Sequence, residues 1–241
     1  LQAEAATTLN LLAQALDARQ LDQAGATLAR RERLALQRAA QRAAWQDAAR
    51  AAASDTVIRP EWISRCISDA VGPQAIIVNE YPLRLEHCER ELCGSFLGQS
   101  PAGGLGWGLG AAVGAKLRRP ERLVVATLGD GAYVFDNPTA CHWVAAVHQL
   151  PILVVVFNNQ MYGAVRNSTA AMYRNGAAGN NGCTLLADLS PSPAFELIVA
   201  ASGGYGERVD DPRELPAALA RALHEVQVVG RQALLNVICQ Y

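Results

Sequence analysis

Net charge is almost absent from this chain: 241 residues carry a formal charge of −1 and no cluster of Lys or Arg. That balance argues against a nucleic-acid partner. Membrane-spanning runs are missing too. The longest apolar stretch, 152–157, has the length of a strand, so no membrane partner is expected. Six cysteines (66, 88, 93, 141, 183 and 239) form no Cys-x-x-Cys pair and no zinc spacing. Cys88 and Cys93 come closest, and a reduced pair in a cytoplasmic protein is the expectation. There is no internal repeat, no low-complexity tract beyond an alanine bias, and no signal peptide after Leu1. Leu1 is not a natural start, so the chain is expected to be a fragment or one of two subunits.

What is present divides by texture. Residues 1–54 are rich in Ala, Gln and Arg, with little Val or Ile, and predict helices over Ala5–Leu16 and Arg31–Ala53. They read as the helical tail or linker of a preceding domain. From residue 55 strands and helices alternate to residue 241. The fold class expected is α/β, a doubly wound parallel sheet with helices on both faces. Strands are predicted at 76–80, 123–128, 152–157, 206–209 and 233–238, with helices near 192–202 and 213–228.

The most informative segments are two apolar runs ending in turn residues. Leu123–Leu128 leads into Gly129-Asp130-Gly131, and Ile152–Phe157 leads into Asn158-Asn159. Runs rich in Val and Ile suit strands buried on both faces of a parallel sheet. A helix is predicted from Asn137 to Gln149, with Asp136 or Asn137 as N-cap and Pro138 at the first helical position. Strand, helix, strand makes a crossover, so both strand ends open on one edge, where such sheets bind ligands. One carboxylate with amide oxygens suits a hard cation such as Mg²⁺, which takes one or two protein carboxylates and completes its shell from water and phosphates. Gly129 and Gly131 let the main chain approach a phosphate. A helix cap and a plain turn are the simpler reading of these residues taken singly.

Gly-Asp-Gly, a spacer of 26 residues (132–157) and Asn-Asn together resemble the signature of thiamin-diphosphate-dependent enzymes. The continuation Gln160-Met161-Tyr162-Gly163-Ala164-Val165 resembles the benzoylformate decarboxylase and acetolactate synthase branch. So does the glycine-rich block from Ala102 to Ala115, and the likeness covers roughly residues 57–241. The resemblance implies that thiamin diphosphate and Mg²⁺ are the cofactors. Asp130, Asn159 and the Met161 carbonyl would hold the metal. Gly129, Gly131 and Ala132 would face the diphosphate, with Tyr162 and Gly163 opening the helix over 162–173 toward it. Leu105 would be the apolar residue on which the cofactor folds, and the Gly103 carbonyl and the backbone of Gly104 and Leu105 would meet its rings. A side chain at 103 would obstruct that approach. Where relatives carry hydroxyls after Asn-Glu, this chain has Tyr81-Pro82-Leu83-Arg84, with Arg84 read either as a substitute source of charge or as a solvated surface arginine.

The implied reaction is decarboxylation of a small-molecule 2-oxo acid, with acetolactate synthase-like carboligation as the alternative. Gln99, Ser100, Ala164, Val165 and Ser168 are the substrate candidates, and Tyr162 and Tyr173 are candidates for the cleft wall. His142 and His148 read as helix-face or core residues rather than proton shuttles. No catalytic residue is assigned. The activating glutamate is expected on a pyrimidine-binding domain or subunit, in a homodimer or homotetramer, because Glu80 suits loop organisation instead. The 241-residue chain alone is therefore expected not to turn over. Two rivals stand beside this reading. A noncatalytic partner would keep the sheet as a scaffold. An NAD-dependent dehydrogenase is suggested by Gly104-Leu105-Gly106-Trp107-Gly108 before a helix, with Asp130 ending the next strand; against it, no strand is predicted to lead into Gly103.

Overall fold

The computed structural model describes residues 4–18, 24–98, 100, 102–177 and 186–240. It falls into two compact units, Leu1–Ala44 and Trp45–Tyr241. The first holds helix α1 (Ala5–Ala18) and most of α2 (Ala24–Ala52). No described residue of this unit is buried, and Leu9, Leu12, Leu16, Leu28, Leu34 and Leu36 are all exposed.

The second unit is built on a six-stranded sheet: β1 (Ile76–Glu80), β2 (Phe96–Gly98), β3 (Val124–Gly129), β4 (Leu153–Asn158), β5 (Tyr205–Val209) and β6 (Ala233–Ile238). The order is β2-β1-β3-β4-β6-β5 and every pairing is parallel. Around it lie α3 (Pro60–Val71), α4 (Gly108–Arg118), α5 (Asp130–Phe135), α6 (Pro138–Val147), α7 (Gly163–Met172), α8 (Phe195–Ala200) and α9 (Leu215–His224), the last followed by a π-helical turn over Glu225–Val229.

Period-two alternation sorts the strand side chains into two cores. Leu153, Val155 and Phe157 of β4 pack with α3 and α9, while Ile152, Val154 and Val156 pack with α4 and α8. Both faces are thus covered, which is why the strands read as unbroken apolar runs. Helix α9 docks through Leu215, Ala218, Leu219, Ala222 and Leu223, one stripe at helical spacing. Each leucine so buried contributes roughly 1.5–3 kcal/mol.

The helix expected over 137–149 is α6, and a short helix that was not expected precedes it. Residues 130–135 form α5, and α6 starts at Pro138 after Asn137, which takes left-handed angles and makes no side-chain cap. A glycine-flanked carboxylate looks like a turn in one dimension, yet the chain coils at once on leaving β3. Strand β2 was not anticipated either. It is three residues at the sheet edge, half-buried to exposed, and so lacks the apolar run that marks the others. Among the described residues no helix is long and apolar enough to cross a membrane. The described cysteines 66, 88, 93, 141 and 239 are free.

Candidate functional site

Because all six strands are parallel, their carboxyl ends share one edge. The connection after β1 runs to β2 on one side, whereas that after β3 runs to β4 on the other. Between β1 and β3 is therefore a topological switch point, where open α/β sheets leave a crevice for ligands. Here it is a cleft of about 570 Å³, lined among others by Glu80, Arg84, Leu105, Asp130, Asn159 and Tyr162.

Register brings the key residues together. Gly129 pairs with Phe157, so Asp130 leaves β3 level with Asn158 at the end of β4, and Asn159 follows one residue on. Asp130 is 2% exposed. Its Oδ1 accepts the Gly131 N–H at 2.9 Å, while its buried Oδ2 has no hydrogen-bond partner. Burial pushes its pKa up to about 6, and the N–H groups of Gly131, Gln160 and Met161 pull it partly back. A buried carboxyl oxygen with nothing to bind is costly, and it belongs to a residue that lines the cleft.

The two asparagines differ in role. Asn158 is fully buried and donates through Nδ2 to Ser192 Oγ at 2.9 Å and Asn236 Oδ1 at 3.0 Å. It braces β4 against β6. Asn159 lines the cleft, and its Oδ1 accepts the Met161 N–H at 3.3 Å. Between them and Met161, Gln160 takes a left-handed φ of 58°. The turn is held by Tyr162 N–H on the Ala187 carbonyl (2.8 Å) and Leu189 N–H on the Gln160 carbonyl (2.9 Å). The Met161 carbonyl accepts the Gly163 N–H at 2.9 Å and keeps a second lone pair. Among the described residues no group of three or more His, Cys, Asp or Glu side chains gathers. A cation here would accordingly rest on one carboxylate with amide and carbonyl oxygens.

Gly129, Gly131, Ala132, Met161, Tyr162, Gly163, Ala164, Val165 and Leu105 also line the cleft. A Cβ at Gly129 would meet nothing within 4 Å, so the main chain there is open to a ligand. At Gly131 the reason for glycine is different: a Cβ would lie 2.5 Å from the Tyr162 ring. Its N–H, expected to face a diphosphate, is held by Asp130. Gly103 and Gly104 are exposed and stand outside the lining. Gly103 has a φ of 70° with open space at its Cβ position, so conformation requires glycine there even before a ligand's approach is considered. Of the substrate candidates, Ala164 and Val165 reach the cleft, Ser100 and Ser168 do not, and Gln99 lies outside the described residues. Tyr162 is a wall residue; Tyr173 is not.

Four lining residues went unforeseen: Arg166, Asn167, Cys239 and Gln240. The last two follow β6, whose Cys239 N–H reaches the Asn158 carbonyl at 2.9 Å. Placing β6 beside β4 would have found them, but strand order is not written in sequence order. Arg84 is half-buried on the wall, as a source of positive charge would need. His142 is a core residue. Gln232 Oε1 can only accept, so His142 Nδ1 donates to it at 2.6 Å, and Nε2 accepts the Tyr133 O–H at 2.9 Å. Burial lowers its pKa.

The dinucleotide-fold reading fails on topology. A strand, β2, does precede the glycine block, contrary to expectation. It pairs only with β1, however, and does not adjoin the strand that ends at Asp130. The N–H groups of Gly106 and Gly108, which that reading would aim at a pyrophosphate, are occupied by Glu80 at 2.7 Å each.

Comparison with known proteins agrees with this geometry. A probable acetolactate synthase of Mycobacterium bovis is 36% identical over 148 residues, covering 61% of this chain and 24% of that protein. Benzoylformate decarboxylase of Pseudomonas aeruginosa is 37% identical over 114 residues, 45% of this chain and 21% of that one. The chain thus spans about a quarter of the length of these relatives. The solved structure of a thiamine diphosphate-dependent 4-hydroxybenzoylformate decarboxylase from Rhodococcus jostii superposes with a TM-score of 0.66 at 25% identity, covering 78% of this chain and 33% of that one. The model of the family described as thiamine pyrophosphate enzyme, C-terminal TPP binding domain, matches residues 84–231, and the chain belongs to that family.

Proposed function

We propose that this chain supplies the diphosphate half of a thiamin-diphosphate- and Mg²⁺-dependent active site that decarboxylates a 2-oxo acid. The observation that carries the metal is the buried, unpartnered Oδ2 of Asp130 in a cleft shared with Asn159 and the Met161 carbonyl. These three groups would hold Mg²⁺. The open backbone at Gly129 and the start of α7 would receive the diphosphate, and Leu105 would support the rings. When bound, thiamin diphosphate supplies the carbon nucleophile and electron sink that release carbon dioxide from a 2-oxo acid. Ala164 and Val165 leave room for a bulky substrate, and Arg84 and Arg166 bring positive charge to the same wall.

Glu80 is the one glutamate in that lining, and both its oxygens are committed to loop N–H groups. Its carboxylate is turned to that loop, so it is read as a loop-holding group rather than the activating one. The activating glutamate is therefore assigned to a pyrimidine-binding domain of a partner protomer, in a homodimer or homotetramer, and the isolated chain does not turn over. Helix α7 beside the cleft has no buried residue and exposes Val165 and Met172, which suits such a neighbour. Carboligation is the second reading, favoured by the longer match to the acetolactate synthase. Retention of an unpartnered Asp130 speaks against a noncatalytic scaffold, which would gain by replacing it.

The test gives the full-length protein a panel of 2-oxo acids with thiamin diphosphate and Mg²⁺ and identifies the products. An aldehyde supports the decarboxylase and a 2-hydroxy ketone the carboligase. A protein that binds the cofactor yet yields neither product from any 2-oxo acid would overturn both.

A further inference from the structure

The loop that carries Leu105 is held by side chains rather than by the sheet. Glu80, at the end of β1 and fully buried, accepts the Gly106 N–H through Oε1 at 2.7 Å. Its Oε2 accepts those of Trp107 and Gly108 at 3.2 and 2.7 Å. The next N–H along, from Leu109, goes to Asp136 Oδ1 at 3.0 Å. Four consecutive N–H groups at the start of α4 thus end on two carboxyl groups. One stands on β1, and the other directly follows the helix that opens with Asp130.

The loop has no slack. Gly106 has a φ of 90°, and a Cβ there would sit 2.5 Å from the Phe135 carbonyl oxygen; at Gly108 it would sit 2.8 Å from Glu80 Oε2. Burying a carboxylate is costly unless its oxygens are hydrogen-bonded. Here three N–H groups and the N-terminal end of α4 compensate, so the arrangement is self-consistent with no ligand. Leu105, one residue before the first clamped N–H and 38% exposed, stands at the cleft wall.

We propose that Glu80 is a positioning residue: it preloads the glycine loop so that Leu105 meets the ring portion of the cofactor, while taking no part in holding the diphosphate. This rests on the cofactor reading above. It predicts a split that general structural damage would not give, because on that reading the rings would meet Leu105, whereas pyrophosphate would be held on the Asp130 side of the cleft.

The experiment uses the full-length protein and Glu80→Gln, which keeps the size but turns an N–H donor toward donors. Two quantities are read: amide exchange over 103–109 without ligand, and titration with Mg²⁺–thiamin diphosphate and, separately, Mg²⁺–pyrophosphate. Exchange at least tenfold faster, thiamin diphosphate at least tenfold weaker and pyrophosphate within twofold of wild type are expected. Unchanged exchange, or equal weakening of both ligands, overturns the proposal. A wild-type protein that binds neither ligand overturns the cofactor reading instead, and the exchange arm still judges the clamp. Should Glu80→Gln fail to fold, Glu80→Asp, one methylene too short, is read by the same criteria.

Discussion

Asp130 and Asp136 show what burial does to a carboxyl group that lacks a full set of partners. Each has one oxygen on a backbone N–H and one without a hydrogen bond, and burial raises their pKa values to about 6 and about 7. For Asp130 the arrangement makes sense if a cation completes it. Asp130→Asn should then act in opposite directions on two measurements. Without ligand at pH 8 the variant should melt no lower than wild type, since the neutral amide avoids the cost of a buried charge. Adding Mg²⁺ and thiamin diphosphate should raise the wild-type stability by about 2.7 kcal/mol at a hundredfold excess over Kd, and leave the variant unmoved. Equal shifts in both proteins would remove Asp130 from the metal site. At this scale much was legible: Gly-Asp-Gly and Asn-Asn stand out in sequence. The resemblance singled out Asn159 of the pair, and what no local pattern told was the task of Asn158, which is buried against Asn236 of β6.

Elements are tied together by polar contacts as well as by the two apolar cores. His142 on α6 accepts from Tyr133 on α5 and donates to Gln232, which precedes β6, and Gln232 Nε2 returns a bond to the His142 carbonyl at 2.9 Å. His142→Ala strands a buried hydroxyl and a buried amide oxygen, so it should cost about 3 kcal/mol in urea unfolding. His148→Ala, at an exposed position on the same segment, should stay within about 0.5 kcal/mol. Similar losses for the two would mean that the network does not hold the site-bearing helices. Element existence was largely readable here. Strands at 76–80 and 233–238 match the observed bounds, because strands buried on both faces leave continuous apolar runs. The edge strand Phe96–Gly98 and the short helix Asp130–Phe135 escaped, since neither is long enough to show a period.

For the whole molecule, the buried groups give stability a pH dependence whose sign can be worked out. Between the ordinary Asp value of 3.8 and about 7, Asp136 keeps its proton in the folded state and loses it in the unfolded state. Folding therefore weakens as pH rises through that window. Asp130 contributes with the same sign up to about 6. His142 opposes them: its lowered pKa means that the unfolded chain takes up the proton first as pH falls below 6.5, which weakens folding on the acid side. The two effects separate in a variant. The stability gap between Asp136→Asn and wild type should widen from pH 5 to pH 8, by on the order of 3 kcal/mol, in melts run across that range. A gap independent of pH would show that Asp136 is not held protonated by burial.

Local pattern alone determined the α/β class, the two motif strands and the residue types of the candidate site, because hydrophobic periodicity and short glycine or asparagine turns act over a few neighbouring residues. Tertiary structure decided which of those residues face one another. Strand order put Cys239 and Gln240 on the cleft wall, register brought Asp130 level with the Asn158–Asn159 turn, and burial left one oxygen of Asp130 without a partner. It also showed which loop Glu80, expected to serve loop organisation, holds: its three N–H partners lie 26–28 residues away in the chain, beyond the reach of any local signal.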